Sequence, residues 1–142
     1  MPQIKKLVLV EFSAAQMFEL VDRVEDYPGF LPWCGFSEVH SRDDLWTVAT
    51  LGIDYLGLRQ QFTTENRKSD NQISLELKDG PFRNLTGAWR FVPLAENACK
   101  VVFELEYEFA NRTLENLVGP VFNKIANSFV DAFVKQAEKR FI

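Results

Sequence analysis

Between residues 37 and 109 the chain alternates apolar and polar residues with a period of two, and this limits what it can fold into more than any other feature. Residues 98–109 are the clearest case. Cys99, Val101, Phe103, Leu105, Tyr107 and Phe109 fall on one face, and Lys100, Val102, Glu104, Glu106 and Glu108 on the other. In 72–78, Ile73, Leu75 and Leu77 oppose Ser74, Glu76 and Lys78. Residues 82–93 collect Leu85, Gly87, Trp89 and Phe91, and 55–65 collect Leu56, Leu58, Gln60 and Phe62. Residues 45–51 put Trp46 and Val48 together, and 37–41 form a shorter strand. Polar or Gly/Pro turns are expected at 42–44, 66–71, 79–81 and 95–97, with a break at Gly52-Ile53-Asp54. Such strands build an antiparallel sheet with one wet and one dry face, and the dry face requires a cover.

Residues 113–141 are the only stretch long and apolar enough to supply it. Leu114, Leu117, Val118, Val121, Phe122, Ile125, Phe129, Val130, Phe133, Val134, Ala137 and Phe141 recur at helical spacing. Thr113 is the expected N-cap, and Gly119-Pro120 is expected to kink or break the helix. At the other end, residues 4–12 read as a first strand, apolar on both faces in its middle. Ser13 and Gln16 then complete a capping-box pattern for a helix over 14–21. That helix turns Met17, Phe18, Leu20 and Val21 inward, and 22–26 lead into a second short helix. The expected fold class is α+β: a curved antiparallel sheet of six or seven strands wrapped around a long C-terminal helix, with two short helices after the first strand. Residues 1–142 are expected to form one domain.

The formal net charge of -4 excludes a global basic field, so no DNA partner is expected. Two cysteines, Cys34 and Cys99, without metal-type spacing, read as free thiols in a reducing compartment. No basic-then-apolar leader is visible at the start, and no apolar run is long enough to span a bilayer, so the expected location is cytoplasmic.

The oddest segment is 27–36, Tyr-Pro-Gly-Phe-Leu-Pro-Trp-Cys-Gly-Phe. Its prolines and glycines rule out a long regular element, yet it carries four aromatics. It either caps the core or forms the mouth of an apolar pocket. Catalytic chemistry is poorly supplied. His40 is the only histidine and reads as a surface residue. Cys34 has no neighbour that would lower its pKa, and no phosphate loop, dinucleotide fingerprint or zinc spacing is present. The chain is therefore expected to bind rather than to catalyse, with no metal and no required cofactor.

The run 27–34, the stretch Gly80-Pro81-Phe82-Arg83-Asn84-Leu85-Thr86-Gly87-Ala88-Trp89-Arg90-Phe91, residues 107–113 and the final helix together resemble the START-like, helix-grip superfamily. Within it they look like the branch of coenzyme-Q-binding proteins and the bacterial ribosome association toxin. The resemblance implies a cavity between sheet and C-terminal helix that takes ubiquinone or a similar lipid, in support of respiration. It also implies an alternative, a regulator that blocks association of ribosomal subunits. A lipid carrier would touch the inner-membrane surface transiently; the alternative partner is a ribosomal subunit.

The residues expected to line such a cavity are Trp46, Leu58, Phe62, Leu75, Trp89, Phe91, Phe103, Leu117, Val118, Val121, Phe122 and Phe129, with Tyr27, Phe30, Leu31 and Trp33 at its mouth. Gln60, Tyr55 and Tyr107 are the expected polar contacts, because a buried polar group needs a partner. Each of these residues could equally pack a filled core. For a ribosomal partner the candidates are Lys124, Lys135, Lys139 and Arg140, or Arg59, Arg67 and Lys68.

Overall fold

The computed structural model describes residues 3–142. Seven strands form one antiparallel sheet in the order β1-β7-β6-β5-β4-β3-β2. They are β1 (Gln3–Val10), β2 (Cys34–Arg42), β3 (Trp46–Tyr55), β4 (Leu58–Ser69), β5 (Gln72–Asp79), β6 (Phe82–Ala95) and β7 (Ala98–Phe109). Two helices, α1 (Ala14–Asp22) and α2 (Arg112–Phe141), lie on the concave face, and a 3-10 helix (Val24–Gly29) follows α1. The helix-grip α+β architecture expected from the alternation is the one observed.

Local chemistry explains the elements. At α1 the Gln16 amide donates to the Ser13 hydroxyl at 3.0 Å, and the Ser13 amide donates to the Gln16 side-chain oxygen at 2.9 Å. Two orphan donors of the first turn are thereby satisfied. Met17 and Leu20 are fully buried beneath α1, and Phe18 meets Phe91 edge-on at 5.8 Å. In β7 the inward residues Cys99, Val101, Phe103, Leu105, Tyr107 and Phe109 are all buried, as the alternation requires.

Four expectations are corrected. The first is the cap of α2, which is Asn111, not Thr113; its side chain accepts from the Leu114 amide at 2.9 Å. Second, α2 runs through Gly119-Pro120 without a break. Pro120 and Asn116 are both exposed, so the Asn116 carbonyl that loses its helical partner faces water. Third, β3 continues through Gly52-Ile53-Asp54, because Gly52 leaves the space in which the Phe36 ring of β2 lies. The β3–β4 turn instead sits at Leu56-Gly57, both with positive φ, and β4 runs through the polar residues 66–69. Fourth, the middle of β1 is not buried on both faces. Leu7 and Leu9 point outward, 57% and 65% exposed.

One polar clamp fixes the corner between α1 and the sheet. Arg42 of β2 donates to both carboxylate oxygens of Glu25 at 2.7 and 3.0 Å and to the Asp22 carbonyl at 3.0 Å. Across the molecule Arg140 of α2 reaches Glu19 at 2.8 Å. The Arg42 guanidinium holds the Glu25 carboxyl at about 2, well below its ordinary 4.5.

Two outcomes are expected. Pro120→Ala restores a helical hydrogen bond at an exposed position and raises stability by about 1–3 kcal/mol in urea denaturation. The folded pKa of Glu25 is depressed, so its contribution is complete above about 4.5 and is lost as pH falls toward about 2. Glu25 is well exposed, which limits this contribution to about 1 kcal/mol or less. Arg42→Met should lower stability by that amount at neutral pH, with the wild-type and variant curves converging near pH 2.

Candidate functional site

Between the concave face of the sheet and the middle of α2 a cavity remains. Its floor comes from β3 to β7, its roof from Phe122, Phe129 and Phe133 of α2, and its end wall from Val24, Tyr27, Leu31 and Trp33. Its volume is about 60 Å³. Pockets that hold drug-sized molecules measure roughly 300–1,000 Å³, so this space amounts to a few waters' worth of volume.

The interior is narrowed by aromatic packing. Phe103 sits 4.5 Å from Trp89 and 5.6 Å from Phe129, ring centre to ring centre, and Phe133 meets Trp89 at 5.2 Å. Phe62, Phe82, Tyr107 and Phe122 form a second group at the other end, with Tyr107 and Phe122 4.8 Å apart. Such offset and edge-on pairs add to the burial of each ring.

The wall carries a few polar groups. Thr64 donates to Asn66 at 2.7 Å, both buried and both facing the cavity. Thr47 pairs with Asn66 across β3 and β4, and its hydroxyl is buried without a partner among the described residues. Asp22 closes this end and pairs with Lys68 at 3.7 Å. The indole N–H of Trp33, a residue only 3% exposed, also has no partner among the described residues. Tyr27 donates its hydroxyl to the Val21 carbonyl, and burial pushes its pKa up.

Trp33 also belongs to a second depression. On the outer side of the same wall lies an open groove of about 580 Å³, bounded by residues 29–33, Tyr55 and one flank of α2. Trp33 therefore separates the small interior from this groove, with its ring 5.2 Å from that of Phe129.

Of the residues expected to line a cavity, Tyr27, Leu31, Trp33, Phe62, Leu75, Trp89, Phe122 and Phe129 do so. Phe91, Phe103, Tyr107 and Val118 are buried beside it as packing, and Val121 is half-buried. Tyr107 donates to Asn123 of α2 at 3.2 Å, which answers its expected polar role inside the protein. Phe30 and Tyr55 face the outer groove, and half-buried Leu58 pairs with Tyr55 at the hairpin end. Gln60 lines a shallow depression near Gly35 and Arg59. Trp46 is on the wet face under Arg67, because the inward residues of β3 are the odd-numbered ones, Thr47 to Ile53. Leu117 is 65% exposed.

The polar residues facing the cavity that sequence reasoning missed are Asp22, Thr64 and Asn66. Thr64 follows Phe62 on the even-numbered face within 55–65, so the alternation alone could have found it, whereas ending the strand at residue 65 hid Asn66, two residues further on. Among the described residues no cluster of His, Cys, Asp or Glu could hold a metal ion, and no helix is long and apolar enough to cross a membrane. His40 is exposed and meets the Thr50 hydroxyl at 2.7 Å on the outer face. Burial pushes the Cys34 thiol up to about 11, so at neutral pH it is a weak nucleophile.

Comparison with known proteins agrees with this geometry. The family model described as polyketide cyclase / dehydrase and lipid transport matches residues 10–134. Ribosome association toxin RatA of Escherichia coli K12 is 40% identical over 140 residues, covering 98% of this chain and 89% of that protein. The mitochondrial coenzyme Q-binding protein COQ10 of Drosophila melanogaster is 27% identical and is spanned over 58% of its length. Among solved structures, the Zhui aromatase/cyclase of Streptomyces superposes with a TM-score of 0.87 at 16% identity, covering 99% of this chain and 96% of that one, and so shares the fold. With a family match over residues 10–134 and a relative at 40% identity covered over 89% of its length, the chain belongs to the polyketide cyclase / dehydrase and lipid transport family.

Proposed function

We propose that this protein acts on the ribosome, as a regulator of subunit association in the cytoplasm. The observation that carries this reading is the 40% identity to the E. coli ribosome association toxin across 98% of the chain. The small interior supports it: a space of about 60 Å³ against an outer groove of about 580 Å³ leaves the outer surface as the larger binding resource. The protein works by binding, without a chemical step. Its histidine is turned to the outer face and its Cys34 thiol stays protonated at neutral pH. Purified protein added to separated subunits should reduce the fraction that associates and should co-sediment with one subunit in a sucrose gradient. Unchanged association without co-sedimentation overturns this reading.

A second reading is favoured by one specific observation, the unpartnered Trp33 N–H in an aromatic wall. A buried donor without an acceptor costs about 1–3 kcal/mol, and a ligand carbonyl would relieve it. On this reading the cavity widens to admit a small apolar molecule with a hydrogen-bond acceptor, such as a quinone headgroup, as the likeness to COQ10 suggests. Titration with a short-chain ubiquinone should then saturate. Trp33→Phe should weaken binding about 2- to 13-fold, the value of one hydrogen bond of about 0.5–1.5 kcal/mol, while the void left by the smaller ring lowers stability. No saturable binding, together with no lipid in extracts of the purified protein, rejects it.

A further inference from the structure

Most basic side chains of this protein are already neutralised within it. Arg23, Arg42, Arg59, Arg83, Arg90 and Arg140 each hold a carboxylate, as do Lys5, Lys68 and Lys78. Lys124, Lys135 and Lys139 differ. All three are exposed, none forms an ion pair among the described residues, and all three lie along one flank of α2 facing the same groove. Their spacing of 11 and 4 residues makes a stripe about 22 Å long at 1.5 Å per residue. One carboxylate, Asp131, shares the groove. In a protein of net charge -4, this is a local surplus of positive charge in a concave place.

The opposite bank of the groove is aromatic. Half-buried Phe30 is held edge-on by Tyr27 at 6.0 Å and Phe133 at 5.3 Å. Tyr55 stands across from it, with the Lys124 ammonium 5.9 Å from its ring. Unpaired cations beside fixed aromatic faces are the two components that single-stranded nucleic acid requires, one for phosphates and one for unstacked bases. The aromatic faces beside the lysines distinguish the occupant: a single strand offers unstacked bases to them as well as phosphates to the lysines, whereas a headgroup surface offers only phosphates.

We infer that the groove between α2 and residues 29–33 is an RNA-binding face that takes a single-stranded segment of ribosomal RNA, its phosphates on Lys124, Lys135 and Lys139 and a base against Phe30 or Tyr55. The inference rests on the ribosome reading above and names the surface that performs it. The lysines release counterions on binding, so affinity should fall steeply with salt.

The test compares wild-type protein with K124E/K135E/K139E, and with K6E/K100E/R112E as a charge-matched control on scattered, unpaired cations. The probes are purified ribosomal subunits and a mixed-sequence single-stranded RNA 12-mer. Circular dichroism and urea denaturation establish that each variant folds; K124Q/K135Q/K139Q replaces the reversal if it does not. The expected result is a loss of at least about tenfold for the groove variant on both probes. The slope of log K against log salt should also fall by about 2, the share of three single-strand phosphates at roughly 0.7 each. The control variant should bind like wild type, and K124R/K135R/K139R should retain binding. Wild-type and groove-variant proteins binding subunits equally would overturn the inference while leaving the ribosome reading intact. A wild type that binds no subunit would overturn both. Loss of binding to phosphatidylglycerol vesicles with subunit binding unchanged would make the groove a membrane face and overturn the inference too.

Discussion

The structure depends on one contact: the aromatic flank of α2 against the concave face of the sheet. Phe122, Phe129 and Phe133 meet Tyr107, Phe103 and Trp89 in that order along the helix. Each buried ring removes enough apolar surface from water to stabilise the fold by roughly 1.5–3 kcal/mol. No other element could take its place, since α1 is nine residues long and covers only the neighbourhood of Phe91. The sheet curves around this row, and the two ends of the concave face inherit different environments from it.

At one end the rings close on each other and leave little space. At the other, inward positions of β3 and β4 are polar: Thr47, Thr64 and Asn66 occupy places where an apolar core would carry valine or leucine. The family's architecture supports a ligand cavity, and in this chain what remains is about 60 Å³ between those polar residues and the aromatic row. Trp33 is the thin partition between that space and the outer groove. The same loop that completes the core thus also borders the charged surface. A local rearrangement of residues 29–33 would affect both.

The charges follow a similar division. Arginines fix the architecture, with Arg42 and Arg140 tying the α1 corner to β2 and to the end of α2. The planar guanidinium suits this task because it engages two oxygens at once. Among the described residues, lysines on the groove flank of α2 hold no carboxylate, although Lys124 rests over the Tyr55 ring. A partner can therefore use them without breaking an internal pair.

The sequence by itself determined the face of most strands, the α1 capping box and the need for a long covering helix. These are local properties, set by side-chain alternation and by which backbone donors a neighbouring residue can reach. It also suggested most of the cavity's aromatic wall, because Phe62, Leu75, Trp89, Phe122 and Phe129 keep period with their elements. Trp46 misled because the apolar run around it offers either face, and only pairing with β4 decides that Thr47 and Ala49 turn inward. Pro120 misled because its cost is set by where the freed carbonyl points, and in the folded chain it points to water. Tertiary structure alone decided how small the cavity is, that Trp33 divides it from a groove, and which lysines remain unpaired. Volume and charge pairing depend on groups brought together from distant parts of the chain, and no local pattern records that distance.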